Sequence, residues 1–322
     1  MPLYLNEQHI YNIGIEWNET ISSIKKATAC LKTRDFAQPI KPYLRFRDLK
    51  NRIIAMPAFV GRKIEACGIK WVASFPSNID HGKKRAHCVI ILNDINSGEP
   101  LAIVNSQAIN AIRTASVSGL VINYYLKSRP LSAIKLGIIG WGPIGRYHYK
   151  MCNEILGDRI STYYLTDLRG IDPAAIDGQN RHKIKIVDSW KEIYANCDIL
   201  ITCTVADAPY ITGNPIDGAL YLNVSLRDFK TDVYEYFKHT IIVDDWEEVC
   251  REKTDVEMMH LEKKLQKKDT KSIIDVVDNC IDSYPTQYPI MFNPMGMAVF
   301  DIAIANYYCL QAKLKGIGEV LA

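Results

Sequence analysis

The sequence predicts an α/β protein built from two different kinds of sheet. In residues 184–245, short apolar segments alternate with helix-like segments, which is typical of parallel strands joined by helical crossovers. In residues 38–104, five short extended segments are separated by turn residues, the pattern of an antiparallel sheet or open barrel. A chain of 322 residues has the length of about two such domains.

Composition limits the class of protein. The chain is 48% hydrophobic and 23% charged, as ordinary soluble globular proteins are, and its net charge of +3 is too small to argue for nucleic acid. No apolar run reaches membrane-spanning length, and the N-terminus lacks a signal-peptide core. The nine cysteines form no Cys-x-x-Cys pair and no His cluster accompanies them, so we expect reduced thiols in a cytoplasmic protein without a metal site.

A glycine-rich turn marks the start of the second part. The apolar run Leu136–Ile139 meets Gly140, Gly142 and Gly145 in a Gly-x-Gly-x-x-Gly spacing, and a helix-like segment follows over 147–156. In a dinucleotide-binding turn, the first glycine allows the tight turn, the second lets the backbone approach a pyrophosphate, and the third lets the helix pack on the sheet. The helix N-terminus near Pro143 and Ile144 then offers N–H groups to the phosphates.

The next strand supports this interpretation. The apolar segment 160–166 ends at Asp167, roughly twenty residues beyond the last glycine, where a carboxylate hydrogen-bonds the adenosine ribose. A carboxylate repels the extra phosphate of NADP, so Asp167 favours NAD, although Arg169 could compensate. The alternative is a glycine-rich turn in some other α/β protein.

The carboxyl ends of the later strands predict a catalytic carboxylate. Ligands bind at these ends in open parallel sheets, which places Thr204, Ser225 and the turn 226–229 along the cofactor crevice. Asp228 in that turn is therefore a candidate, and the alternative is an aspartate that serves only the turn or caps a helix.

Four positively charged residues of the first part stand in segments that are otherwise largely apolar. In the segment 38–46, Lys41, Tyr43 and Arg45 alternate, so on a strand they point to one side. Lys70 lies inside an apolar strand, where it is costly unless it meets an anion; the alternative is an edge strand with Lys70 in water. Arg113 lies near the middle of an apolar helix or helix pair over 106–127, where it could also cap a helix or pair with a buried carboxylate.

A last helix is predicted to begin with Asn293 as its cap and Pro294 in its first turn, and to run through Leu314. Because it follows the nucleotide-binding part, we expect it to return to the first domain. The charged stretch 251–271 is predicted to be a solvated helical surface.

Six motifs together resemble the ornithine cyclodeaminase/mu-crystallin family over nearly the whole chain. They are Arg-Ile-Ile-Ala-Met-Pro at 52–57, Gly-Ile-Lys-Trp at 68–71, Ala-Ile-Arg-Thr-Ala-Ser at 111–116, the glycine turn, Thr-Cys-Thr at 202–204, and Asn-Pro-Met-Gly-Met-Ala at 293–298. Further stretches, such as 38–45 and 201–210, are similar to the members that use NAD to oxidise an amino-acid adduct to L-2,3-diaminopropionate and 2-oxoglutarate, for siderophore or peptide-antibiotic assembly.

The resemblance implies roles for particular residues. Lys70 and Asp228 fall where the family keeps its catalytic lysine and aspartate, and Arg113 where an arginine binds the substrate carboxylate and the cofactor phosphate. Lys41 stands where many relatives have an arginine. Leu226-Arg227-Asp228 replaces the Gly-Gly-Asp of the cyclodeaminases, which argues against ornithine cyclodeaminase itself.

These considerations give one set of predicted sites. The predicted catalytic residues are Lys70 and Asp228. The predicted substrate-binding residues are Lys41, Arg45, Met56, Lys70 and Arg113. The predicted NAD-binding residues are Arg113, Thr114, Gly140, Gly142, Pro143, Ile144, Gly145, Asp167, Thr204, Val224 and Asn293.

The predicted architecture is a Rossmann-type dinucleotide-binding domain at 116–297 plus an α+β dimerisation and substrate domain at 1–115 and 298–322, and the resemblance implies a homodimer joined through the latter. Other oxidoreductases of the family (ketimine or imine reductases, alanine dehydrogenases), a cyclodeaminase, or a non-catalytic cofactor-dependent binder remain alternatives.

Overall fold

A computed structural model describes residues 1–176 and 178–321 of the protein. Ala322, the last residue of the predicted first domain, lies outside the described residues. The chain divides into two compact units. The first comprises Met1–Ser116 and Gly296–Ala322, and the second comprises Val117–Met295.

The strands of the described residues form two sheets of eight strands each. In chain order they are β1 Leu3–Asn6, β2 Phe36–Ala37, β3 Tyr43–Leu44, β4 Arg52–Val60, β5 Ala66–Ser74, β6 Ala86–Asn93, β7 Pro100–Asn105, β8 Ile134–Ile139, β9 Ile160–Thr166, β10 Ile184–Ile186, β11 Ile199–Thr202, β12 Leu220–Asn223, β13 Ile241–Val243, β14 Lys271–Ser272, β15 Ile290–Asn293 and β16 Glu319–Val320.

The α-helices connect and cover these strands. They are α1 Glu7–Ile13, α2 Trp17–Thr33, α3 Gln107–Ser128, α4 Pro143–Leu156, α5 Trp190–Tyr194, α6 Tyr234–Phe237, α7 Trp246–Val249, α8 Asp255–Lys263, α9 Ile273–Val277 and α10 Ala298–Lys315. The predicted apolar segment at 106–127 is thus the single helix α3. No helix in the described part of the chain has both the length and the apolar character needed to cross a membrane.

The sheet of the first unit is open and largely antiparallel. Its order is β16-β1-β7-β6-β5-β4-β2, with β3 also paired to β4, and only the β1–β7 pair is parallel. The predicted strand at 38–46 is wrong in extent, because only Tyr43–Leu44 pairs with β4. Pro39 and Pro42 lack the N–H that a ladder needs, which explains why pairing is so short.

One face of this sheet is buried and the other is apolar but only partly covered. Lys70 on β5 pairs with Met56 on β4 and Ile90 on β6, so it stands in a row of inward-pointing apolar side chains. Helices α10 and α2 pack against each other, and α10 packs against β4 and β5. The alternative of an edge strand with Lys70 in water is therefore wrong.

The sheet of the second unit is parallel throughout. Its order is β10-β9-β8-β11-β12-β15-β13-β14, so the chain reverses its direction of progression at the central strand β8. Such a switch point opens a crevice at the carboxyl ends of the strands. The Rossmann-type architecture predicted from the glycine turn and the alternating elements is confirmed. Strands β14 and β15 were not predicted, and β15 inserts between β12 and β13.

The start of the last helix also differs from the prediction. Asn293 ends the buried strand β15 and caps no helix, and α10 begins at Ala298 with Met297 as its cap residue. The intervening turn contains Gly296 at φ +87°, a conformation that interrupts a right-handed helix.

Candidate active site

The glycine turn follows β8, and two of its glycines are required by the protein's own packing. Gly140 has φ +99°, and a Cβ there would lie 2.6 Å from the carbonyl oxygen of Cys203. A Cβ on Gly145 would lie 2.0 Å from the carbonyl oxygen of Gly140. Real Cβ atoms do not approach so closely, so both positions need glycine for α4 and β11 to reach the turn.

Gly142 is different, because nothing in the protein requires it to be glycine. Its φ is −70°, and a Cβ built there meets no atom within 4 Å. Gly142 is the N-cap residue of α4, and Pro143 is the first residue of that helix. No side chain in the described residues caps this helix end. Open space beside uncapped N–H groups at a helix N-terminus fits an approaching phosphate.

Asp167 lies at the carboxyl end of β9 and holds the glycine turn in place. Its Oδ2 accepts a hydrogen bond from the backbone N–H of Trp141 at 2.6 Å, and its Oδ1 accepts one from the N–H of Arg169 at 2.8 Å. A carboxylate oxygen accepts more than one hydrogen bond, so both oxygens retain capacity for ribose hydroxyls. The same side chain can therefore order the turn and bind a nucleoside.

Asp228 is fully buried and bound by two hydroxyls. Thr204, after β11, donates to its Oδ1, and Ser225, after β12, donates to its Oδ2. Burial raises the pKa of the Asp228 carboxyl, while the hydroxyls of Ser225, Thr204 and Thr202 lower it by less. The helix-cap alternative is wrong, since Asp228 caps none of the described helices. A buried carboxyl with a raised pKa suits proton transfer.

A second buried aspartate, Asp255, was not predicted from the sequence and binds the backbone of the Asp228 turn. Asp255 Oδ2 accepts hydrogen bonds from the backbone N–H groups of Asp228 and Phe229, each at 3.1 Å, and from Asn223 Nδ2 at 2.9 Å. Burial raises the pKa of Asp255 to about 7. Asn223 also donates to Asn293 Oδ1 at 2.8 Å, so a continuous polar network links β12, β15 and the start of α8.

The turn itself contains a strained residue at the first position of the replaced Gly-Gly-Asp motif. Leu226 has φ +66°, in the left-handed region where side chains are disfavoured by roughly 1–2 kcal/mol. Its N–H donates to Asn223 Oδ1 at 3.0 Å, and its carbonyl accepts from the Asp255 N–H at 2.8 Å. These bonds hold the residue in this conformation, so the turn keeps the shape that glycine would favour.

The first unit buries a cluster of charges around Asp301, on α10. Lys70 is 1% exposed, and its Nζ donates to Asp301 Oδ1 at 2.9 Å and to Asn110 Oδ1 at 2.6 Å. Arg113 Nε donates to the same Asp301 oxygen at 2.8 Å, and its Nη2 donates to Asn110 Oδ1 at 3.2 Å. The predicted need of Lys70 for an anion, and the alternative that Arg113 pairs with a buried carboxylate, are both realised in Asp301.

Gly296 joins Lys41 to this cluster. Lys41, also buried, donates from Nζ to the Gly296 carbonyl at 2.7 Å. A Cβ on Gly296 would lie 2.7 Å from Nη1 of Arg113, so the absence of a side chain lets the guanidinium approach the backbone closely. Lys41, Lys70 and Arg113 are thus part of one cluster, and their binding of substrate stays a prediction.

Asp301 binds two cations through only one of its two carboxylate oxygens. Burial raises the pKa of its carboxyl, but Arg113 and Lys70 lower it by more, so the pKa lies below its ordinary value and the group stays ionised. Its Oδ2 is buried and has no hydrogen-bond partner among the described residues. Asp301 is not among the site residues predicted from the sequence, although it is a lone carboxylate in the otherwise apolar run 298–305.

The remaining predicted site residues occupy more ordinary positions. Met56 is buried beside Lys70, and Thr114 donates its hydroxyl to the carbonyl of Asn110 within α3. Val224 is half-buried after β12, and Asn293 is held by Asn223. The guanidinium of Arg45 lies 5.0 Å from the centre of the Tyr43 ring.

Comparison with known proteins identifies the family that the sequence motifs resemble. The profile of the ornithine cyclodeaminase/mu-crystallin family matches residues 8–314. The N-((2S)-2-amino-2-carboxyethyl)-L-glutamate dehydrogenase of Staphylococcus aureus (strain NCTC 8325 / PS 47) is 32% identical, over 99% of this chain and 98% of that protein.

Two solved structures share the fold. The Δ(1)-pyrroline-2-carboxylate reductase of Thermococcus litoralis, in complex with NADH and L-proline, aligns with a TM-score of 0.86 and 23% identity over 99% of this chain and 100% of that one. An archaeal alanine dehydrogenase dimer with bound NAD aligns with a TM-score of 0.84 and 22% identity over 100% and 99%. The chain belongs to the ornithine cyclodeaminase/mu-crystallin family.

Proposed function

We propose that the protein is an NAD-dependent dehydrogenase that cleaves N-(2-amino-2-carboxyethyl)-L-glutamate oxidatively to L-2,3-diaminopropionate and 2-oxoglutarate. The observation that carries the proposal is the buried pair Lys70 and Arg113, which shares one carboxylate, with Lys41 beside it. Two buried cations on one anion leave a net positive charge, which is costly in an apolar interior until another anion arrives.

The adduct suits that site because it carries three carboxylates. The S. aureus relative, similar over nearly its whole length, is named for this substrate. Lys70 uses two of its three ammonium hydrogens on Asp301 and Asn110, so one remains for a ligand. We assign the α-carboxylate of the glutamate half to Lys70 and Arg113, with Lys41 contributing charge. Asp301 and Asn110 then act as positioning residues that fix both cations.

NAD fits the glycine turn, where Gly142 leaves room for a phosphate and Asp167 can accept from the ribose. Bound there, NAD would supply the acceptor for the hydride of the glutamate α-carbon. Lys70 polarises the resulting imine by holding positive charge at the adjacent carboxylate. Water then adds to the imine carbon, and the carbinolamine collapses to the amine and the keto acid.

Asp228 is the proposed base for the water step. As a carboxylate it takes a proton from the attacking water, and as a carboxylic acid it returns a proton to the departing amine nitrogen. Because burial raises its pKa, the group can exchange protons closer to neutral pH than an exposed aspartate. Thr204 and Ser225 orient its two oxygens.

We further propose that the protein forms a homodimer through the outer face of the first unit's sheet. Four adjacent strands each contribute an apolar residue to a row on that face: Pro57, Ile69, Ile91 and Ile103. Trp71, on the same face, is 45% exposed. Contiguous exposed apolar side chains mark protein contacts. Trp71→Glu should give a monomer in size-exclusion chromatography with light scattering, whereas Leu261→Glu, at an exposed residue of α8, should not. A monomeric wild type would reject this interface.

The activity is tested by mixing the purified protein with NAD and the synthetic adduct. NADH, diaminopropionate and 2-oxoglutarate should form in equal amounts, as followed by absorbance and mass spectrometry. The comparison substrates are alanine and ornithine, each with NAD, and Δ1-pyrroline-2-carboxylate with NADH. They report the rival activities of the family.

Lys70→Ala serves as the matched variant and should abolish turnover while NAD binding persists. Absence of NADH from the adduct, with folded protein and bound NAD, would reject the substrate. Near-normal turnover in Lys70→Ala would assign the lysine a purely structural role.

A further inference from the structure

A second pair of cations lies on the same face of the first unit's sheet as Lys70. On β4, side chains alternate, so Arg52, Ile54 and Met56 point to one face. Met56 pairs with Lys70, which places Arg52 on the face of the Asp301 cluster. Arg52 and Met56 are four positions apart, or roughly 13 Å along the strand.

Arg52 and Arg45 share one aromatic ring. Tyr43 pairs with Ile54, and continuing this register by two residues sets Arg45 beside Arg52. The guanidinium carbons of Arg45 and Arg52 lie 5.0 Å and 5.8 Å from the centre of the Tyr43 ring. Stacking on the ring offsets part of the cost of desolvating the guanidinium groups.

Arg52 is short of an acceptor. Its Nε is buried and has no hydrogen-bond partner among the described residues, and no carboxylate in that part of the chain forms a salt bridge with it. A buried cationic donor without an acceptor is costly, and a planar carboxylate is the ligand that a guanidinium binds best, through two parallel hydrogen bonds.

We propose that Arg52, stacked on Tyr43 beside Arg45, binds the side-chain carboxylate of the glutamate half of the substrate. This inference rests on the proposed function, since it deepens the substrate assignment of the same site. The diaminopropionate half carries an ammonium next to its carboxylate and is locally neutral. The glutamate side-chain carboxylate has no such neighbour, so it is the group that gains most from a guanidinium whose buried Nε lacks an acceptor.

Arg52 is therefore a specificity residue. It selects substrates with a second, remote carboxylate over those with one carboxylate at the reacting end, such as alanine or Δ1-pyrroline-2-carboxylate. Arg52 touches the substrate but not the reacting atoms, so its removal should raise KM and leave kcat nearly unchanged.

A pair of ligands isolates this role without requiring turnover. 2-Oxoglutarate and 2-oxopentanoate differ only by a carboxylate in place of a methyl group at the remote end. Calorimetric titration of the NADH-saturated protein should show 2-oxoglutarate binding at least about tenfold more tightly, as expected for one hydrogen-bonded charge pair. Arg52→Gln should remove this preference. Arg47→Gln, at an exposed arginine of the neighbouring loop, should keep it.

The kinetic counterpart uses the adduct and its norvaline analogue, in which a methyl group again replaces the remote carboxylate. Arg52→Gln should raise KM for the adduct about tenfold or more and leave the analogue unaffected. A wild type without the 2-oxoglutarate preference, or an Arg52→Gln variant that retains it, overturns the inference. A preference that depends on Arg52, in a protein that forms no NADH from the adduct, rejects the proposed function alone.

Discussion

Asp301 in the first unit and Asp228 in the second are both completely buried, yet the pKa of Asp301 is lowered and that of Asp228 is raised. Burial acts on both in the same direction, since it disfavours the charged form. The difference lies in the neighbours. Asp301 accepts from Lys70 and Arg113, which are cations, whereas Asp228 accepts mainly from the neutral hydroxyls of Thr204 and Ser225.

The two aspartates are therefore suited to different tasks. A carboxylate locked in its ionised form by two cations can orient them but exchanges protons poorly. A carboxyl with a raised pKa and only neutral donors can change protonation state during a reaction. Substitution by asparagine, which keeps the shape and removes the charge, separates these roles.

The largest effect is expected for Asp228→Asn. Loss of the proposed base should lower kcat by about 10²–10⁴-fold, the usual contribution of general base catalysis, while NADH still binds, as fluorescence titration can show. Asp207→Asn, at an exposed residue close in sequence to Thr204, is the control and should leave kcat unchanged. Retained turnover in Asp228→Asn would show that Asp228 is not the base.

Asp301→Asn should act chiefly on stability. It leaves Lys70 and Arg113 buried without their anion, which costs about 3–5 kcal/mol in the free energy of unfolding. Asp228→Asn should change that free energy by no more than about 1 kcal/mol, because its folded environment already favours a neutral group. Urea denaturation of both variants checks the contrast, and equal destabilisation would contradict it.

The raised pKa of Asp255 should make the free energy of unfolding depend on pH. Its folded pKa of about 7 lies above the unfolded value, so the folded state holds a proton that the unfolded state has lost between about pH 4 and pH 7. The stability contributed by Asp255 is present below the unfolded pKa and is lost as pH rises through about 7. Relative to Asp255→Asn, the wild type should lose up to about 1.4 kcal/mol per pH unit within this window.

Urea midpoints of both proteins at pH 5, 6, 7 and 8 measure this difference. Parallel pH profiles for the wild type and Asp255→Asn would show that the carboxyl titrates normally, against the expectation from its burial.

A smaller effect distinguishes the glycines that the protein needs from the one that a ligand needs. Gly142→Ala should unfold like the wild type and bind NADH about tenfold more weakly, because the added methyl group occupies space that no protein atom uses. Gly145→Ala should instead lose about 1–3 kcal/mol of stability through overpacking against the Gly140 carbonyl. Unchanged NADH affinity in Gly142→Ala would place the phosphates elsewhere.

Local sequence signals predicted much of this molecule. The glycine turn, the strand before it and Asp167 lie within 32 residues, from 136 to 167, and their spacing alone identified the nucleotide-binding element. Lys70 was noticed because a single charge interrupts an apolar strand, and Asp228 because it follows a parallel strand. Each of these inferences depends on neighbours along the chain.

The errors and omissions have a different origin. Strand β15 is not apparent from the sequence because its place between β12 and β13 is decided by partners 50 to 70 residues away. The predicted start of the last helix lies too early in the chain, because Asn293 and Pro294 are residues that favour a helix start. In the structure Asn293 lies in a strand, and its Oδ1 accepts a hydrogen bond from Asn223.

The sequence by itself determined the two-part α/β plan, the dinucleotide turn, and the need for an anion near Lys70, since periodicity, glycine spacing and the cost of a buried charge act locally. Only the tertiary structure decided which anion that is. Asp301 lies 231 residues from Lys70, and Arg113 lies 188 residues from Asp301. Such pairings are set by how strands and helices pack, which brings distant residues to one point without leaving a pattern in the chain.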